Sequence, residues 1–274
     1  MKKETTSLPD TLYHYCSNEA FHAIVSNQSI RLSSLSLSND AMEGKLISET
    51  IKTLTLDKET IKNSHKNATI YEGLFEGLGF CLSKKGDLLS QWRGYANDAT
   101  GVSIGFSTQY LQQLKDQHAG SVDSDFNLER IEYDQQTQKD ILTSRLNKIL
   151  AAEEDLNTAS KATPNLKESL LRAECLLLRD MYRFKNDAFQ EELEWRLLSL
   201  IICIDETLPN CDFQAKGNKI TPFRTLELDP LGCPAITHVI LGPKNITPEN
   251  VIKQFLNTNG FVEVKVNRAK ASYR

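Results

Sequence analysis

The 274-residue chain has no apolar run approaching the roughly 18 residues that cross a bilayer, and its opening Met1-Lys-Lys-Glu-Thr-Thr-Ser lacks the apolar core of a secretory leader. A soluble, cytoplasmic protein without a membrane partner is therefore expected. Positive charge is not in excess either. With 32 Lys and Arg against 36 Asp and Glu, the net charge of −4 excludes wholesale coating of nucleic acid, though not a local basic groove. Cys-x-x-Cys pairs are absent. Cys16, Cys81, Cys175, Cys203, Cys211 and Cys233 lie scattered in apolar contexts with no His at zinc-finger spacing, so they read as reduced thiols of a cytosolic core. Missing as well are Gly-x-x-x-x-Gly-Lys, a Gly-x-Gly-x-x-Gly after a strand and His-Glu-x-x-His. These absences remove ordinary nucleotide hydrolysis, hydride transfer and zinc proteolysis. No internal repeat or low-complexity tract is present.

What remains is enough apolar residue, 40% of the chain, for a sizeable core. Short β-rich runs at 12–16, 30–33, 79–83, 102–106, 223–228, 236–241 and 261–266 are read as strands. Helices are expected after Ser17 or Asn18, which carry Phe21, Ile24 and Val25 on one face, and from Thr247-Pro248 to Asn259-Gly260. A polar turn at 37–43 opens a further helix. Between 135 and 185 the period changes to 3.6. Leu142, Leu146 and Ile149 form one stripe and Leu166, Leu170, Ala173, Leu177 and Met181 another, the pattern of two antiparallel helices. The clustering of elements predicts one α+β domain over 1–274, with 135–185 as a helical insertion.

The stretch from Phe189 through Glu192, Glu194, Trp195 and Arg196 runs into an apolar, β-branched segment at 197–204, read as a strand covered on both faces. Period 2 then points Glu192, Glu194 and Arg196 to one side and Leu193, Trp195 and Leu197 to the other. Paired carboxylates at the start of a core strand need partners, because an unpaired buried charge is costly. The other polar and aromatic patches are His14-Tyr15, Asn39-Asp40 with Glu43, and Ser90-Gln-Trp-Arg-Gly-Tyr95. Aromatic faces, an Arg, an imidazole and a carboxylate pair suit a flat cationic ring attached to a ribose. Each also has a plain structural use. His14 fits an aromatic core strand, Trp92 a core anchor, Asn39-Asp40 a helix cap, and Arg196 a neutralising partner of Glu194.

Taken together, Leu-Tyr-His-Tyr-Cys-Ser at 12–17, Ser-Asn-Asp at 38–40, Asp-Leu-Leu-Ser-Gln-Trp-Arg-Gly-Tyr at 87–95, Gly-Val-Ser-Ile-Gly-Phe at 101–106, Glu-x-Glu-Trp-Arg at 192–196 and Leu-Gly-Pro-Lys at 241–244 resemble a bacterial family catalogued as domain of unknown function 2971. More distantly, Tyr-His on a first strand and Glu-x-Glu on a later one are similar to the ADP-ribosyltransferase superfamily. That resemblance implies a split, mixed or antiparallel β-sheet with peripheral helices, and NAD as substrate. His14, with Tyr15 beside it, would meet the adenosine-side ribose or diphosphate, and Tyr95 or Trp92 would stack on nicotinamide. Ser90, with Arg93 nearby, would support the nicotinamide ribose. Glu194 would hold its 2′-hydroxyl, and Glu192 would position or activate the acceptor. The implied activity is cleavage of the nicotinamide glycosidic bond and transfer of ADP-ribose to a protein, a nucleic acid or water, a chemistry that suits a toxin or phage-defence effector. On this reading Glu194→Gln abolishes turnover and leaves the fold intact. Two other readings compete: a nucleotide- or nucleic-acid-binding module without turnover, and a nuclease holding Mg²⁺ through Asp40, Glu43, Glu192 and Glu194.

Overall fold

Alternating apolar strands too numerous to lie in one flat layer fork here into two limbs. The computed structural model describes residues 8–37, 75–120, 125–158, 163–203, 207–271 and 273. Its elements in chain order are β1 (Thr11–Cys16), α1 (Asn18–Asn27), β2 (Ser29–Ser34), β3 (Phe75–Ser83), α2 (Leu89–Tyr95), β4 (Val102–Ser107), α3 (Thr108–His118), β5 (Asn127–Arg130), α4 (Gln135–Thr158), α5 (Pro164–Met181), a 3₁₀ turn (Asp187–Glu192), β6 (Glu194–Ile202), β7 (Asp212–Lys216), β8 (Lys219–Glu227), β9 (Ile236–Leu241), α6 (Glu249–Thr258) and β10 (Lys265–Arg268). The helix expected after the turn at 37–43, with Asn39, Asp40 and Glu43, lies outside the described residues.

One edge of β3 pairs with β6 along its whole length, and β6 pairs in turn with β5. The other edge of β3 is shared: β1 meets it at Ser83 and β2 at Leu78 and Gly79. From that fork one limb continues as β1-β4-β9-β10 and the other as β2-β8-β7. All these pairings are antiparallel except β9 with β10. The chain is thus a mixed α+β protein with an open, mixed sheet.

Side chains on the inner faces of both limbs make the main core, including Leu12, Ile104 and Phe106 from one limb and Ile30, Leu32 and Leu226 from the other, together with Leu78 and Phe80 of β3 and Leu197 of β6. Helices α1 and α3 close it, and both start on serines. Ser17 Oγ accepts the amide of Ala20, and Ser107 Oγ accepts that of Tyr110, each satisfying a donor the first helical turn leaves open. Helices α4 and α5 form the expected antiparallel pair, their Leu142, Leu146, Ile149, Ala173 and Leu177 meeting in a separate small core closed by Phe184. Only glycine fits at 101, where a Cβ would run into the backbone carbonyl of Cys16.

Four described elements had no counterpart in the sequence reading: β5, α3, the 3₁₀ turn and β7. The polar and aromatic patch Ser90–Tyr95 lies on helix α2. The final strand begins at Lys265 rather than 261, because 261–264 are spent on a turn with Glu263 at φ 62°.

Candidate active site

Strand pairing sorts the predicted site residues by face. Tyr13 lies opposite Ser83, and Ser83 opposite Glu194, so these three and Tyr15 share one face of the sheet. His14 is on the other. Its ring stacks on Phe80 of the main core at 4.0 Å, and its Nδ1 donates to the carbonyl of Cys81 at 2.8 Å, at the fork between the limbs. The structure therefore does not bring His14 to the acid pair, because neighbouring residues of a strand face opposite ways.

Tyr15 is buried, with its hydroxyl donating to Lys85 O and accepting from Leu88 N, so it holds the loop before α2. Trp92 is wholly buried. Its ring meets Tyr15 edge to face at 4.8 Å and its indole N–H donates to Asp87, leaving no ring face for a ligand. Tyr95, the other residue expected to stack, is 40% exposed at the end of α2. Ser90 Oγ is buried without a hydrogen-bond partner. Arg93 is exposed and faces the ring of Tyr273.

Glu192 and Glu194 do converge, by a route that period 2 does not describe. Glu192 ends the 3₁₀ turn, Leu193 adopts a left-handed φ of 45°, and β6 starts only at Glu194. Between the two carboxylates sits a group that sequence reasoning missed. Lys185, in the segment after α5, places its buried ammonium 2.7 Å from Glu192 Oε2 and 3.1 Å from Glu194 Oε2. Arg196, 1% exposed, clamps Glu194 bidentately: Nε donates to Oε1 at 2.6 Å and Nη2 to Oε2 at 3.0 Å. Its Nη1 donates to Tyr182 O. Tyr95 donates its hydroxyl to Glu192 Oε1 at 3.2 Å, and Tyr133 OH accepts the amide of Glu194. Each of the four carboxylate oxygens thus has a protein donor. Backbone contacts fix the frame, with Ser83 Oγ donating to Glu192 O and Gln138 Nε2 to Lys185 O.

These surroundings drive the two acids apart. Burial pushes Glu194 up, but the charges of Arg196 and Lys185 and the Arg196 hydrogen bonds outweigh it and hold the carboxyl at about 2. Burial dominates at Glu192, whose pKa is raised in spite of Lys185, with the charge of Glu194 adding to the rise. The Tyr95 phenol is raised chiefly by burial. A carboxyl depressed in the folded state contributes stability that is complete above the ordinary carboxylate range and is lost as pH falls towards the folded value. Urea unfolding of the wild type between neutral pH and about 2 should show that loss, with a shallower slope in Glu194→Gln. Equal slopes would remove Glu194 as its source.

A cleft of about 850 Å³ lined by Ser107, Tyr110, Asp229, Pro234 and His238, among others, takes in none of these residues. The exposed groups beside the acid pair are Tyr95 and Phe189, the latter 37% exposed with its ring 4.8 Å from the Lys185 ammonium. Among the described residues no group of three or more His, Cys, Asp or Glu is placed to hold a metal ion. No described helix is long and apolar enough to cross a membrane.

With α2 and the acid pair in place, the comparison that bears on this site is a family model. Residues 91–197 match the one described as "Protein of unknown function (DUF2971)". The match covers less than half of the chain, yet it takes in Trp92, Tyr95, Lys185, Glu192, Glu194 and Arg196 and leaves out His14, Tyr15 and Ser90. No curated protein and no solved structure matches the chain.

Proposed function

We propose that the chain is an NAD-consuming, ADP-ribosyltransferase-like enzyme, and that the Glu192–Lys185–Glu194 cluster is its reaction centre. The observation that carries this reading is a pair of carboxylates sharing one ammonium, with one pKa pushed up and the other held at about 2. Two titratable groups driven apart in this way divide acid–base work from electrostatic work. Cleavage of the nicotinamide C1′–N bond sends the bonding pair to nicotinamide and leaves an oxocarbenium-like ribose. Glu194, fixed as an anion, opposes that positive charge. Glu192, beside the exposed Tyr95, takes the proton of the acceptor hydroxyl as its oxygen bonds C1′. The acceptor is a macromolecule or water. The forked sheet is in keeping with the split sheet of that superfamily, and a toxin or phage-defence role fits the chemistry.

The saturated carboxylates favour one other reading, a nucleotide-binding module that leaves its ligand intact. The metal-dependent nuclease is disfavoured, since Lys185, Arg196 and Tyr95 occupy the oxygens a cation needs, and Asp40 and Glu43 lie outside the described residues. The deciding experiment incubates the protein with NAD, alone and with cell lysate as a source of acceptors, and measures free nicotinamide by chromatography. Release supports the transferase; NAD bound but recovered whole supports the module.

A further inference from the structure

Helix α2 brings Tyr95 to Glu192, yet little in its own sequence holds it in shape. It is seven residues long, and Leu88 at its N-cap offers no side-chain hydrogen bond. An isolated helix of fewer than about 12 residues is marginal. It is followed by three non-glycine residues in left-handed conformations, Asn97, Asp98 and Ala99, at φ 48°, 51° and 69°. Such backbone persists only where surrounding contacts impose it.

Those contacts come from the residues after β10. The Asp87 carboxylate accepts the Trp92 indole N–H on one oxygen (2.7 Å) and the amides of Lys270 (2.7 Å) and Ala271 (3.2 Å) on the other. Ala269 donates its amide to Leu241 O. Tyr273 donates its hydroxyl to Asp98 at 2.8 Å, and its ring lies between the Lys244 ammonium, 4.0 Å from the centroid, and the Arg93 guanidinium at 5.6 Å. Lys244 closes the ring of contacts on Asp98 at 2.9 Å. Ala269, Ala271 and Tyr273 also pack against the small core of Tyr15, Trp92, Ala96 and Ala99. One short segment therefore grips the start of α2 through Asp87, its last turn through Arg93, and the strained turn beyond through Asp98.

We propose that this segment is a strap that sets the position of α2, and that Asp87 and Tyr273 are positioning residues for the contact between Tyr95 and Glu192. The effect on turnover rests on the reaction assigned above, whereas the contact itself does not. The charged and titratable groups that face Glu192 are Lys185, Glu194, Tyr95 and Tyr133, and the Tyr95 hydrogen bond favours the ionised carboxylate. Releasing the strap removes that bond and moves the titration of Glu192 to higher pH.

The test uses the full chain with ¹³C-labelled glutamate, the Glu192 carboxyl being assigned with Glu192→Gln. The chain has two tryptophans, so the Trp92 indole resonance is assigned with Trp195→Phe and reports the strap directly. Tyr273→Ala is expected to shift that resonance and to raise the Glu192 midpoint as far as Tyr95→Phe does. Lys244→Met, a milder change, should move both in the same direction, and Tyr273→Phe, which keeps the ring, should move them least. A shifted Trp92 resonance with an unchanged Glu192 midpoint would overturn the proposal, because the strap would then act only on its own surroundings. If the wild type releases no nicotinamide, the reaction assignment fails, and the Glu192 titration still decides the strap.

Discussion

Arg196→Met lowers the unfolding free energy by about 3–5 kcal/mol, the cost of stranding one member of a buried ion pair. The guanidinium supplies two of the hydrogen bonds to Glu194 and one to the carbonyl of Tyr182, all in a region almost closed to solvent. Methionine fills much of the volume but donates nothing, so Glu194 loses its bidentate partner and keeps the charge of Lys185, which it shares with Glu192. The protein's remaining response is to protonate one of the two acids, which takes free energy from folding at neutral pH. The double variant Arg196→Met with Glu194→Leu should recover most of the loss, since an apolar pair of similar volume needs no counter-charge. Urea unfolding measures both. A single variant within about 1 kcal/mol of wild type, the range of an exposed pair, would mean that water reaches Glu194 and that the cluster is less closed than its burial indicates.

That cluster was half legible in the sequence. Glu194 and Arg196 stand two apart in a segment that must be a strand, so their shared face and their pairing follow from the period alone. The same rule separates His14 from Tyr15, and sequence adjacency was the wrong guide there. Glu192 reaches the site through a 3₁₀ turn and a left-handed Leu193, and no apolar pattern encodes either. Lys185 had no signal at all. A lone lysine after a helical stretch looks like solvent-facing charge, and its meaning depends on a turn that carries the chain back over the sheet. Strand β9 and helix α1 were readable because each combines a clean apolar pattern with clear stop or cap residues. Strand β5, Asn-Leu-Glu-Arg, is too short and charged to stand out, and it exists because β6 offers it an edge. Helix α3 did carry a signal, a capping Ser107 ahead of Tyr110, Leu111 and Leu114 on one face.

Glu192→Gln should lower nicotinamide release by about 10²–10⁴-fold, the usual worth of a positioned general acid or base, with little change in stability. An amide at this place keeps the local contacts. Its oxygen still accepts from Lys185, and its NH₂ donates to the Tyr95 hydroxyl, which reverses its role. What it loses is the ability to take a proton. Glu194→Gln is a different experiment from the one the sequence suggested, because the structure places that carboxylate under a bidentate arginine. There the amide turns an NH₂ toward Arg196 or Lys185, so stability falls together with turnover, and a loss of activity identifies no chemical role. The two variants therefore have to be read side by side. Inactive but stable Glu192→Gln, beside inactive and destabilised Glu194→Gln, assigns proton transfer to Glu192 and charge to the arginine-clamped Glu194. An active Glu192→Gln would sink the assignment of Glu192 and leave water or the acceptor's own base to take the proton.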